Sequence, residues 1–146
     1  MTATISSSTT TPRSGTGSAR RQRRIWAATT LTGLVAAAVT TLIAAVAKAA
    51  GAGLDVDGEA IPTLGFAQLT LVGAVMGGVL ASVLTGWARR PRRTFVAITI
   101  VLTLLSLVPD MTMAIDRVSA AVLIATHLVA AAIVVPALAR RLASGG

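Results

Sequence analysis

The sequence has no cysteine, no tyrosine, a single histidine and only five acidic residues among 146. Each shortage closes a class of chemistry. Without cysteine there is no disulfide framework, no thiolate nucleophile, no cysteine-ligated zinc and no acylated-cysteine anchor. With His127 alone, neither an H-E-x-x-H zinc helix nor a histidine-rich metal site can be assembled, and no G-x-S-x-G element is present. The expectation is therefore no enzyme and no cofactor. The acidic trio Asp55, Asp57 and Glu59 lacks the glycine and the distal glutamate of a calcium loop and reads as a solvated loop. Aromatic residues number four, Trp26, Phe66, Trp87 and Phe95. That leaves no stacking platform to accompany the net charge of +8, so the basic clusters do not read as a nucleic-acid site.

What is present is apolar sequence in long blocks. The chain is 54% hydrophobic and 12% charged with a mean hydropathy of +0.80, against about 25% charged residues in a soluble domain. Four spans are predicted, at about 25–47, 62–88, 94–108 and 118–139, and the fold class is an all-α integral membrane four-helix bundle. Residues 1–24, rich in Ser, Thr, Gly and Arg, cannot offset their ordering entropy by burial and read as a disordered basic cytoplasmic tail. The first span has 23 uncharged residues, about 35 Å as a helix and enough to cross a hydrocarbon core of about 30 Å. A secretory signal peptide is the competing reading, but its apolar run is only about 7–15 residues long, so an uncleaved anchor is favoured. Asp57-Gly58 suits the tight turn of a small hairpin between the first two spans. The third span is short, and Pro109 disfavours helical geometry at Val108. A break there, with Asp110 capping the next helix, is favoured over a kinked continuation.

Placing the N-terminus inside puts 11 of the 13 basic residues on one side, including Arg23, Arg24, Arg89, Arg90, Arg92, Arg93, Arg140 and Arg141. Every acidic residue falls on the other side, in or beside short loops. This is the positive-inside pattern, with Trp26 and Trp87 as interfacial anchors. It predicts a plasma-membrane protein with both termini cytoplasmic. The preference for Arg over Lys suggests a GC-rich bacterial genome.

The stretches Gly53-Leu54-Asp55-Val56-Asp57-Gly58-Glu59-Ala60-Ile61-Pro62, Gly65-Phe66-Ala67-Gln68-Leu69, Arg90-Pro91-Arg92-Arg93, Ser106-Leu107-Val108-Pro109-Asp110 and Thr126-His127-Leu128-Val129-Ala130-Ala131 carry a likeness. Through them the chain resembles an uncharacterised actinobacterial family of four-span membrane proteins, domain of unknown function 6069, over about 25–142. The resemblance implies one compact four-helix unit and brings no activity with it.

Few polar groups fall inside the spans. His127 lies mid-span, where ionisable residues are costly and usually face the bundle interior. Imidazole titrates near neutrality as a class, so a proton-relay or ligand role is open. The plainer reading, favoured here, is a neutral ring bonded to a neighbouring helix at Thr99 or Thr103. A direct bond to Asp110 is not expected, because ten residues of helix separate His127 from Arg117, about 15 Å. Gln68 is a second intramembrane polar candidate, most simply an interhelical hydrogen bond. Gly73, Gly77 and Ala81 form a small-residue ridge for close helix packing, within the bundle or as a homodimer seam. The arginine clusters set topology and are suited to anionic lipid headgroups. The functional expectation is an interaction or assembly subunit with a possible protein partner. The alternative is a small transporter or channel using His127 and Gln68.

Overall fold

In the computed structural model, which describes residues 15–56, 59–60, 62–112 and 116–143, the order of elements is α1 (Gly15–Ala49), β1 (Asp55–Val56), β2 (Glu59–Ala60), α2 (Thr63–Trp87), α3 (Pro91–Thr112) and α4 (Arg117–Ala143). The protein is all-α apart from this two-stranded hairpin, and each of its four helices is long and apolar enough to cross a membrane.

α1 begins ten residues before the predicted first span. The stretch 15–24, expected to be disordered, is helical. Extending an existing helix fixes one residue per added hydrogen bond, whereas starting one is costly. Arg and Gln are also good helix formers, so the apolar span propagates the helix back into 15–24. The remaining tail, 1–14, lies outside the described residues. At its other end α1 closes in a Schellman arrangement. The N–H of Ala52 donates to the Ala47 carbonyl at 3.0 Å and that of Gly51 to Lys48 at 3.0 Å, with Gly51 at φ +91°.

β1 and β2 pair antiparallel, Asp55 with Ala60 and Val56 with Glu59. The Asp57-Gly58 turn that joins them lies outside the described residues. Pro62 precedes α2, and Pro91 opens α3, where its missing N–H costs nothing.

α3 does not end at Val108. It runs through Pro109 to Thr112 and carries Asp110 inside it. A stop at Val108 would give a helix of about 27 Å from Pro91, short of an apolar layer of about 30 Å; 22 residues give about 33 Å. The single hydrogen bond lost to the proline ring is the smaller cost. Asp110 is therefore not the cap of α4. That role belongs to Asp116, whose Oδ1 accepts from the N–H groups of Val118 (2.8 Å) and Ser119 (2.9 Å). Its Oδ2 accepts from Ser119 Oγ at 2.6 Å, and that hydroxyl in turn accepts the N–H of Leu54 at 3.1 Å. Leu54 is fully buried at φ 52°, a left-handed conformation rare for a branched side chain. Its burial and this hydrogen bond hold it there, fastening the α1–α2 connection to the start of α4.

The helices run up and down, with α1 packed most heavily on α2 and α4, α3 packed mainly on α4, α2 meeting α3 and α4 about equally, and α1 and α3 touching least. The α1–α2 seam is the closest approach. A Cβ on Gly78 would stand 2.6 Å from Thr29 Oγ1, and one on Gly33 would stand 2.9 Å from Ala74 Cβ. The hydroxyls of Thr40 and Thr70 lie 2.9 Å apart across the same seam. Ala81 is fully buried as the ridge predicts. Gly73 and Gly77, however, are not the close contact: Gly73 has open space around it, and Gly77 meets only Leu138 and Val134 at ordinary distances of 3.5 and 3.9 Å. The seam is offset by one residue, on Ala74, Gly78 and Ala81. Phe66 and Phe95, near the starts of α2 and α3, are also buried, whereas Trp87 is 90% exposed.

Two stability predictions follow from these contacts. Gly78→Ala should destabilise the protein by about 1–3 kcal/mol, because Thr29 is stiff and cannot yield. Gly73→Ala should be neutral or gain up to about 1 kcal/mol of helix propensity. Unfolding of both variants in detergent checks this, and equal melting would refute the seam. The second concerns Asp116, whose carboxyl is held below its ordinary 3.8 by the Ser119 hydroxyl hydrogen bond first and the backbone N–H bonds after it. A depressed folded-state value means stability that is present above pH 3.8 and is lost as pH falls through the folded value. The melting difference between wild type and Asp116→Asn should be constant near neutrality and shrink below pH 4.

Candidate functional site

α2, α3 and α4 enclose a cavity of about 450 Å³, walled by α2 and α3 and floored by α4. Its lining is mostly apolar, with Thr70, Thr99, Thr103, Ser106, Thr126 and His127 as the polar groups. Gly73, with no side chain, opens the α2 wall.

His127 stands on this cavity with 44% of its side chain exposed, and its Nδ1 lies 2.8 Å from Oδ2 of Asp110. The expectation that these two residues stay apart is wrong for a geometrical reason. Every Cα–Cβ bond in a helix tilts toward that helix's N-terminus. α3 and α4 are antiparallel, so the Asp110 and His127 side chains lean toward one another, which shortens the distance to be spanned. α3 also extends past Val108, which the rise argument did not allow.

The same Nδ1 lies 3.2 Å from the Leu123 carbonyl. Both neighbours are acceptors, so Nδ1 carries the hydrogen. Nε2 is then the acceptor of the neutral ring. Asp110 is 8% exposed, and its Oδ2 atom is fully buried, with the His127 contact as its one close polar neighbour and no hydrogen bond among the described residues. The pair is thus a carboxylate held out of solvent behind a histidine that faces the cavity.

The predicted partners of His127 are placed differently. Thr99 turns its hydroxyl to its own helix, donating to the Phe95 carbonyl (2.8 Å) and approaching that of Val96 (3.1 Å). Thr103 lines the cavity but makes no hydrogen bond to His127. Gln68 is exposed and outside the cavity lining, so it does not share a site with His127; the polar side chain beside His127 is Asp110. Ser106 donates to the Thr103 carbonyl at 2.7 Å and Thr126 to Leu123 at 2.8 Å. These hydroxyls spend their protons on the backbone and offer lone pairs to the cavity. Among the described residues no group of three or more His, Cys, Asp or Glu gathers to hold a metal.

At the opposite end from the acidic loops, Arg23, Arg24, Arg89, Arg90, Arg92, Arg93, Arg140 and Arg141 are all exposed. The N-terminal part of α1 meets the C-terminus of α4 there, where Arg21 Nη2 reaches the Leu142 carbonyl at 3.5 Å.

Residues 20–144 match the family of unknown function DUF6069, and the chain belongs to that family. No curated protein matches the chain, and neither does any solved structure.

Removing His127 alone should strand a buried carboxyl oxygen, so His127→Leu should cost about 1–3 kcal/mol. The double variant Asp110→Leu/His127→Leu removes both polar groups and should recover most of that loss. A double-mutant cycle in detergent measures the coupling. Additive losses would mean the two side chains do not act as a pair.

Proposed function

We propose that this chain is a multi-pass protein of the bacterial plasma membrane with both termini cytoplasmic, and that it binds lipophilic cations in the α2–α3–α4 cavity in exchange for a proton on the Asp110–His127 pair. Topology rests on the arginine-rich end and the acidic loops at the other. The observation that carries the binding reading is a cavity-facing His127 set 2.8 Å from a buried Asp110. A volume of about 450 Å³ suits a small organic molecule, and apolar walls with a few convergent polar groups are the ordinary make-up of such a site.

The sign of the ligand follows from the lining and the carboxyl group behind it. Backbone-bonded hydroxyls present lone pairs to the cavity, and Asp110, which stands behind His127 and does not itself line the cavity, is the one acidic group beside it. A ligand with an apolar body and a positive or hydrogen-donating head complements that surface. Protonation turns Nε2 into a donor and cancels the carboxylate's charge. Proton and cation then compete for one site, which is the requirement for exchange. This is the small-transporter alternative with Asp110 in the place first given to Gln68. The assembly-subunit reading has in its favour only exposed apolar helix faces, which lipid covers equally well.

The test uses a fixed-charge probe, so that any pH dependence belongs to the protein. Tetraphenylphosphonium binding to the protein in nanodiscs should weaken as pH falls, by up to about tenfold per pH unit for one competing proton. Well-folded His127→Gln should bind with little pH dependence, and Asp110→Asn should bind weakly throughout. Absence of wild-type binding, together with a stoichiometric protein partner in mild detergent, would overturn the proposal for the assembly reading.

A further inference from the structure

The cavity beside His127 is elongated along the helices. Its lining runs from Phe66 to Leu80 on α2, from Phe95 to Ser106 on α3 and from Leu123 to Val135 on α4, lengths of about 17–21 Å at the rise of a helix. Both ends are closed. Phe66 and Leu123 pack in one buried cluster at the acidic-loop end, and Phe95 and Val134 pack in another at the arginine end. The side is open: Leu69 and Met76 of α2 and Leu102 of α3 line the cavity and are each more than half exposed. Met76 and Leu102 stand near the middle of their helices. In a bilayer crossed by these helices, the mouth therefore faces hydrocarbon and not water.

The polar groups of the lining are unevenly placed. Thr70 is one turn from Phe66, Thr126 and His127 are one turn from Leu123, and Ser106 is the last α3 residue of the lining. These side chains lie in the half nearer the acidic loops, where Asp110 stands behind His127. The half nearer the arginines is walled by Leu80, Phe95, Val134 and Val135. Thr99 also lies there, but its hydroxyl is donated to the Phe95 carbonyl. The cavity is thus amphiphilic along its length, with hydrogen-bond acceptors and an acidic group at one end and hydrocarbon at the other.

A ligand matched to this cavity has the same two ends. One that arrives through the side must first dissolve among acyl chains, which selects for an apolar body. From His127 to Val135 is about 12 Å along α4, close to the extended length of a decyl chain. We infer that the ligands of this cavity are single-chain amphiphilic amines, with the ammonium head at His127 and the alkyl chain laid along α4 toward Val135. A protonated amine donates to the lone pairs that Ser106 and Thr126 turn to the cavity, and its charge complements the Asp110 carboxyl behind His127. A phosphate head would find no Arg or Lys in the lining. This class rests on the cation-binding reading of the same cavity and adds to it a shape, an orientation and a route of entry.

The experiment uses the full chain in nanodiscs, with butylamine and decylamine probes that carry a diazirine on the last carbon, and with decanol carrying the same group. Photolabelled residues are located by mass spectrometry. Decylamine should label α4 around Val134 and Val135, butylamine should label it around Thr126 and Ala130, and excess unlabelled decylamine should suppress both. Decanol should need about tenfold higher concentration for equal labelling, the difference between a charged and a neutral hydrogen bond. Equal labelling by decanol would overturn the cationic head. Gly73→Leu puts a side chain between the two halves of the cavity, and its Cβ meets nothing within 4 Å. That variant should melt like wild type and lose most decylamine labelling at Val134 and Val135; undiminished labelling there would overturn the placement of the chain. So would decylamine labelling of Leu104 and Leu105, which are exposed and outside the lining. Either of these failures with pH-dependent tetraphenylphosphonium binding intact would remove the amine class and leave the exchange reading standing. Failure of tetraphenylphosphonium binding as well would overturn both.

Discussion

The close approach of α1 and α2 governs the rest of the bundle. Gly78 lets Thr29 of α1 fall where a Cβ would stand, and Gly33 does the same for Ala74. Helices in an apolar solvent gain no hydrophobic advantage by associating, so contact depends on how closely backbones can pack. α2 has spent its small face on α1. What it turns to the cavity is Leu69, Met76 and Leu80 together with Gly73 and Gly77. The cavity therefore lies beside the seam, where long side chains of α2 alternate with the bare backbone of two glycines.

A second constraint decides what the cavity contains. Buried hydroxyls must be satisfied within the chain, and in this bundle most of them bond to the carbonyl three or four residues earlier: Thr29 to Ile25, Thr99 to Phe95, Ser82 to Gly78 and Thr126 to Leu123. This local device removes donors from the helix faces without tying helices to one another. Away from the arginine end, where Arg21 reaches the Leu142 carbonyl, polar contacts between elements among the described residues include the Thr40–Thr70 pair, the Leu54–Ser119 clasp and Asp110–His127. The first two of these three are closed, with each partner facing another protein group. The third is open, because His127 has its other nitrogen free of Asp110 and faces the cavity.

Much of this architecture was legible in the sequence, and the errors have definite causes. Four long apolar blocks gave four helices, since block length against core thickness is a robust signal. His127 was identified because an ionisable residue in such a block stands out by composition alone. Its partner was missed because counting rise per residue ignores the tilt of Cβ bonds, and because Pro109 was read as a stop on local geometry when the whole span needed the extra turn. Asp116 was the better cap, standing immediately before the helix it caps, while Asp110 lay seven residues away from Arg117. Gly73 and Gly77 formed the recognisable motif, yet Gly78 makes the contact. Spacing identifies a small-residue face but does not settle which edge of it meets the neighbour. Gln68 was chosen by polarity, with no information on which way its face of α2 turned.

The Asp110–His127 pair is hard to explain as a stability device. A buried ion pair in an apolar setting gains in attraction roughly what it loses in desolvation, and well-packed apolar residues of similar volume are often as stable or better. A neutral interhelical hydrogen bond of the Thr40–Thr70 kind would fasten α3 to α4 at less electrostatic cost. The geometry also wastes stability, since Asp110 Oδ2 gets only one close neighbour where a buried carboxylate oxygen used for structure would accept two or three donors. What the arrangement retains is an acidic group placed behind the only titratable side chain that lines the cavity among the described residues, the feature on which the proposed exchange rests. A bundle that needed only to hold together had cheaper options in the threonines already lining these helices. The pair makes physical sense when its protonation changes what the cavity attracts.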